Sequence, residues 1–118
     1  MKTLVIGASE NKTRYSNLAI NMLRENGHEM VAIGGKEGKV ADVSFGTENL
    51  PFEGVDTISL YLAPEKHTAI QDYLLSLEPR RIIFNPGTEN VELEQIAQKN
   101  GIDVLEACTL VLLRTHQF

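Results

Sequence analysis

Ten residues near the start of the chain, Gly7 to Ser16 (G-A-S-E-N-K-T-R-Y-S), bring together groups suited to holding a diphosphate. Gly7 permits a sharp turn, and with Ala8 it lets a ligand approach the backbone closely. Ser9, Asn11, Thr13 and Ser16 add neutral donors, while Lys12 and Arg14, the latter followed by Tyr15, add positive charge. A helix that starts just after such a turn points free N–H groups and the positive end of its dipole at the same place. The spacing fits neither G-x-G-x-x-G nor G-x-x-x-x-G-K-[ST]. Taken alone, the segment does not name a ligand.

Three other segments end short apolar runs in the same manner. They are Gly34-Gly35-Lys36, with Lys39 close behind, then Leu62-Ala63-Pro64, then Asn85-Pro86-Gly87. Glycine after a strand is also ordinary turn chemistry. Its recurrence along one sheet edge instead favours a ligand there. A domain that holds NAD normally places Asp or Glu after the second strand, for the ribose hydroxyls. Lys36 and Lys39 stand there instead, and cations suit a ribose that carries a phosphate. Two cofactors meet that description: NADP, phosphorylated on the 2′ oxygen, and coenzyme A, phosphorylated on the 3′ oxygen. His67 is the histidine placed to face the same edge, whereas His28 and His116 read as solvated. Cys108 reads as a small core residue rather than a nucleophile. Glu89 and Glu92 read as favourable charges at a helix start. No metal-ligand spacing is present.

The elements that must position these residues alternate. Strands are expected at Lys2–Ile6, Glu29–Ile33, Asp56–Leu62, Arg81–Phe84 and Asp103–Leu105, with a short one at Val43–Phe45. Helices are expected around Leu18–Leu23 (stopped by Asn26-Gly27), from about Glu65 to Leu77, and from Glu89 to Asn100. The stretch from Thr109 onward reads as a short helix or a docked tail. Such alternation predicts an α/β three-layer sandwich with a mainly parallel sheet of five or six strands, Val43–Phe45 at an edge. In an open parallel sheet, ligands sit beyond the carboxyl ends of the strands, where strand order reverses.

In order and spacing, the G-A-S-x-N-K-x-R-Y-S loop, the glycine-lysine turn, the V-D-x-x-x-x-Y-L-A-P strand and the late G-I-D-V-L-E-A-C segment resemble the small stand-alone CoA-binding proteins. These are similar to the amino-terminal domain of the succinyl-CoA synthetase alpha subunit. The resemblance spans Lys2 to about Cys108 and implies a Rossmann-like fold that binds coenzyme A or an acyl-CoA. It implies that Ser9, Glu10 and Asn11 meet the CoA phosphates, and that Arg14 and Ser16 are the R-x-S that follows. Lys36 would lie near the adenosine 3′-phosphate, Leu62, Ala63 and Pro64 along the adenine or pantetheine, and Asn85 to Gly87 in a later ligand loop. Three segments depart from the family pattern: I-G-G-K stands for V-N-P-[KG], Asn85-Pro86-Gly87 for Q-x-G, and Ala107 for a charged residue.

Length and charge bound the rest. A chain of 118 residues fits one domain, 1–118. With 42% hydrophobic and 23% charged residues it is expected to be globular rather than disordered. Eleven basic against sixteen acidic residues give a net charge of −5, and no basic run marks a nucleic-acid binder. An anionic ligand must therefore be held by local groups. A single cysteine leaves no intrachain disulfide, and neither a secretory leader nor a membrane span is expected. The expectation is a cytoplasmic, non-catalytic module, since the phosphohistidine domain of the synthetases has no counterpart here. A small NADP-binding enzyme is the alternative, and an interaction domain that has lost its ligand is a third reading. A protein partner is compatible with each.

Overall fold

The computed structural model describes residues 2–118. Five strands form one sheet in the order β2-β1-β5-β6-β7, every neighbouring pair parallel. They are β1 (Lys2–Ala8), β2 (Glu29–Gly34), β5 (Val55–Leu60), β6 (Arg81–Phe84) and β7 (Asp103–Glu106). Strands β1, β5 and β6 are buried on both faces, which explains their runs of β-branched and apolar residues. Along β1, Leu4 and Ile6 enter one core layer and Val5 the other. The first layer packs against α2 (Gln71–Ser76) and α3 (Val91–Lys99) through Leu74, Leu93 and Ala97. The second packs against α1 (Tyr15–Glu25) and α4 (Thr109–Arg114) through Ile20, Leu23 and Leu113. This is the expected three-layer arrangement.

The expectation for Val43–Phe45 needs correction. It is β4, paired antiparallel with β3 (Gly38–Val40) in a separate two-stranded sheet. This hairpin is tied to the main sheet by a parallel bridge between Ile33 and Gly46, with the Gly34 N–H donating to the Gly46 carbonyl at 2.9 Å. Its two-residue turn, Ala41-Asp42, puts Ala41 at φ 54. The guanidinium of Arg24 clamps the turn by donating to both carboxylate oxygens of Asp42, at 2.7 and 2.8 Å.

The helix expected over Glu65–Leu77 is also divided. A single 3-10 turn, Pro64–Lys66, is separated from α2 by residues 67–70. At the other end, the chain after α4 docks. The Phe118 ring stacks on the Arg81 guanidinium at 4.5 Å and meets His28 edge-on.

Candidate functional site

Strand order reverses between β1 and β5, since the chain runs outward to β2 from one and to β6 from the other. A cleft of about 730 Å³ opens at the carboxyl ends of these strands, large enough for a cofactor. Its walls come from three segments: the loop after β1, the turn after β2, and the chain after β5.

The first wall begins with a bulge. Gly7 adopts φ +96, and the β1–β2 register shifts between Ile6 and Ala8. The shift moves Ala8 into the α1 layer, where strict alternation would have placed it opposite. A side chain at Gly7 would bring its Cβ to 3.0 Å from Tyr61 Cβ. The loop then holds itself in shape. Ser9 Oγ accepts from the Asn11 N–H, Asn11 Oδ1 from the Thr13 N–H, and the Ser9 carbonyl from Asn17 Nδ2. α1 begins after Arg14 with no side chain capping its first turn; the Arg14 and Asn17 N–H groups donate to the Asn11 and Arg14 carbonyls, which leaves those of Tyr15 and Ser16.

The second wall is the turn from β2 into the hairpin. Gly34 has no room for a side chain: a Cβ there would lie 2.6 Å from the Ala8 carbonyl oxygen and 2.8 Å from the Phe45 ring. Gly35, Lys36 and Glu37 follow on the rim. Glu10 crosses from the first loop and accepts the Lys39 N–H at 3.0 Å. It thereby joins the first two walls. The third wall is Tyr61, Leu62, Ala63 and Lys66. Burial pushes the Tyr61 hydroxyl up to about 12, so it stays neutral, and it is the one buried side-chain polar atom without a partner among the described residues.

Of the residues singled out from sequence, Gly7, Ala8, Ser9, Glu10, Asn11, Arg14, Gly35, Lys36, Leu62 and Ala63 line this cleft. Lys12 and Tyr15 are exposed outside the lining, Tyr15 by 70%, and Ser16 is buried in the first turn of α1. Gly34, buried, and Pro64, half-buried, are not part of the lining. Lys39 extends along β3, where its charge acts on Asp42.

His67 does not line the cleft. It is 1% exposed, with Nε2 on the Leu62 carbonyl at 2.9 Å and Nδ1 against Asn90 Nδ2 at 3.0 Å. Nor does the Asn85 side chain reach out. Its Nδ2 donates to Ser59 Oγ and the Leu60 carbonyl, and its Oδ1 accepts the Thr109 N–H, which takes both donors and one acceptor site of a side chain that is 1% exposed. Pro86 and Gly87 are exposed beyond it, the Gly87 N–H donating to Glu89.

Phe45, Glu37, Tyr61 and Lys66 line the cleft without having been picked out from sequence. Lys66 carried a usable signal, a cation two residues after a strand-ending Ala-Pro. Phe45 carried none, because its place depends on the hairpin. Three cations, Arg14, Lys36 and Lys66, thus face two carboxylates, Glu10 and Glu37, although the whole chain is acidic. A smaller groove of about 370 Å³ runs beside β2 and β4. Its only basic residue, Arg24, is already paired with Asp42. Among the described residues no group of His, Cys, Asp or Glu is arranged to hold a metal, and no helix is long and apolar enough to cross a membrane.

Comparison with known proteins places this geometry. No curated protein matches the chain. The crystal structure of an uncharacterized protein superposes with a TM-score of 0.96 at 45% identity, covering 99% of this chain and 97% of that one. The cell-free ID.343 protein of Thermus thermophilus matches with a TM-score of 0.87 at 21% identity, over 99% and 90% of the two chains. The dinucleotide-forming acetyl-coenzyme A synthetase 1 of Ca. Korarchaeum cryptofilum shares the fold with a TM-score of 0.73 at 15% identity. That match covers 88% of this chain and 25% of the synthetase. The family model described as a CoA binding domain matches residues 1–114, and the chain belongs to that family.

Proposed function

We propose that the protein is a non-catalytic binding module for coenzyme A or an acyl-CoA, and that the β1–β5 cleft is its site. The observation that carries the reading is the concentration of Arg14, Lys36 and Lys66 around one cleft in a chain of net charge −5. Membership of the CoA-binding family supports the identity of the ligand.

In this reading the diphosphate lies over the loop from Ala8 to Arg14, where the Tyr15 and Ser16 N–H groups at the start of α1 donate to it. Lys36 meets the 3′-phosphate of the adenosine, and Leu62 and Ala63 flank the less polar part of the ligand. Gly7 and Gly34 serve the site indirectly: Gly7 lets the first wall approach the third at Tyr61, and Gly34 lets the second approach the first at Ala8. In this reading the chemistry of the site is recognition: donors and cations for phosphates, an apolar wall for the rest.

Native mass spectrometry of the freshly purified protein tests the assignment. An added mass equal to coenzyme A or an acyl-CoA is the expected result. A mass equal to a nicotinamide dinucleotide phosphate would transfer the site to the NADP reading. Absence of any added mass, with no binding on addition of CoA, would leave an interaction domain.

A further inference from the structure

We propose that His67 is a positioning residue: its ring, donating from Nε2 to the Leu62 carbonyl and accepting at Nδ1 from the Asn90 amide, holds the Leu62–Lys66 wall of the cleft in the form that binds ligand. The inference rests on the coenzyme A reading of the cleft.

The tautomer follows from the partners. The Leu62 carbonyl only accepts, so Nε2 must carry the proton in their 2.9 Å bond. On the other side, the orientation of the Asn90 amide is set by α3. Asn90 Oδ1 accepts the Leu93 N–H at 3.2 Å as the cap of that helix, which turns Nδ2 toward the imidazole. Nδ1 must therefore present its lone pair. A proton there would set donor against donor, and the amide cannot flip to meet it without giving up the cap.

Neighbouring charges offer no substitute partner. On its own turn, Glu65 and Lys66 are exposed. From α3, Glu94 accepts the Asn90 backbone N–H at 2.9 Å and makes no ion pair with the ring. From β6 comes the Phe84 ring, edge-on at 6.1 Å. At 1% exposure the imidazole has little access to water.

What the ring holds is the turn itself. Its bond to Leu62 spans five residues and encloses the Lys66 N–H bond to the Ala63 carbonyl and the His67 N–H bond to Pro64. Leu62, Ala63 and Lys66 are the cleft-lining members of that turn. Losing the ring's hold frees two apolar contacts and one cation together.

The test compares wild type with His67→Gln and His67→Leu. Glutamine can donate with its amide nitrogen and accept with its oxygen, as the ring does, whereas leucine keeps bulk and does neither. Coenzyme A affinity of His67→Gln is expected within about threefold of wild type, and that of His67→Leu about tenfold or more below it. His67→Leu binding like wild type, or His67→Gln binding no better than His67→Leu, overturns the proposal. Amide hydrogen exchange at Lys66 and His67 in the ligand-free protein decides it separately. Protection should fall in His67→Leu and stay near that of wild type in His67→Gln; equal protection in all three rejects the proposal. If wild type binds no coenzyme A, the functional reading fails on its own, and exchange still reports on the wall.

Discussion

Both halves of the sheet's carboxyl edge end in polar, glycine-containing loops, yet one half is open and the other closed. Around β1, β2 and β5 the loops stand apart, and their donors and cations border a cleft. Beyond β5, the Asn85 amide joins Ser59, Leu60 and Thr109, while its own carbonyl accepts from the Thr88 hydroxyl. The strand order explains the contrast, because the chain diverges at the β1–β5 boundary and not at β6. A polar residue at a strand end is thus available to a ligand only if the fold leaves some of its bonding capacity unused.

The largest expected effect is that of Gly7→Val. A branched side chain at φ +96, with its Cβ 3.0 Å from Tyr61 Cβ and 3.1 Å from the Tyr61 carbonyl carbon, strains the bulge. A loss of about 1–3 kcal/mol in stability is expected, together with loss of coenzyme A binding. Thermal unfolding and calorimetric titration read the two separately. Retained binding would mean that the bulge does not shape the site.

Asn85→Ala should behave in the opposite sense. It leaves a buried backbone N–H and a carbonyl short of partners, costing about 1–3 kcal/mol. Binding by the folded variant should stay within about twofold of wild type. If affinity instead collapses in step with Gly7→Val, the division between open and closed halves is lost.

Arg14→Ala sharpens the same comparison more gently. Arg14 is exposed, so its contribution to binding is expected to be under about 1 kcal/mol. Its removal should also flatten the salt dependence of affinity. Binding that matches wild type at every salt concentration would leave the loop's role to its backbone.

The smallest effect lies far from the cleft. The Arg80 guanidinium holds the Asp56 carboxyl below the usual range by hydrogen bonding, with bonds at 2.9 and 3.0 Å. A depressed carboxyl contributes stability above its unfolded value and loses it as pH falls through its folded value. With Arg80 half exposed, Arg80→Ala should cost only about 0.2–1 kcal/mol near neutrality. The difference from wild type should vanish in acid and leave binding unchanged. Chemical denaturation at several pH values would show it, and a difference that grows toward acid would contradict the sign.

The sheet was legible because its strands obey a local rule: buried parallel strands read as short β-branched runs closed by glycine or proline. The hairpin was not, because Ala41-Asp42 lacks the Asn-Gly or Asp-Gly signature of a two-residue turn, and Ala41 reaches φ 54 only within the folded context. The division after Lys66 was equally hidden. There the His67 ring reaches back to the Leu62 carbonyl, a contact that helical periodicity does not encode. In the site, the first loop and Lys36 were readable from residue type and place. Asn85 and His67 carried the right residue types, but their bonding had been taken up by groups distant in sequence.

Calorimetric titration with coenzyme A and dephospho-CoA, on wild type and Lys36→Ala, tests the central claim most directly. Wild type should bind coenzyme A more tightly than its dephospho form, by about two- to fivefold for an exposed charge, and Lys36→Ala should erase most of that preference. Equal affinity for the two ligands in wild type, or a preference untouched by Lys36→Ala, would contradict the placement of the adenosine phosphate at the rim formed after β2.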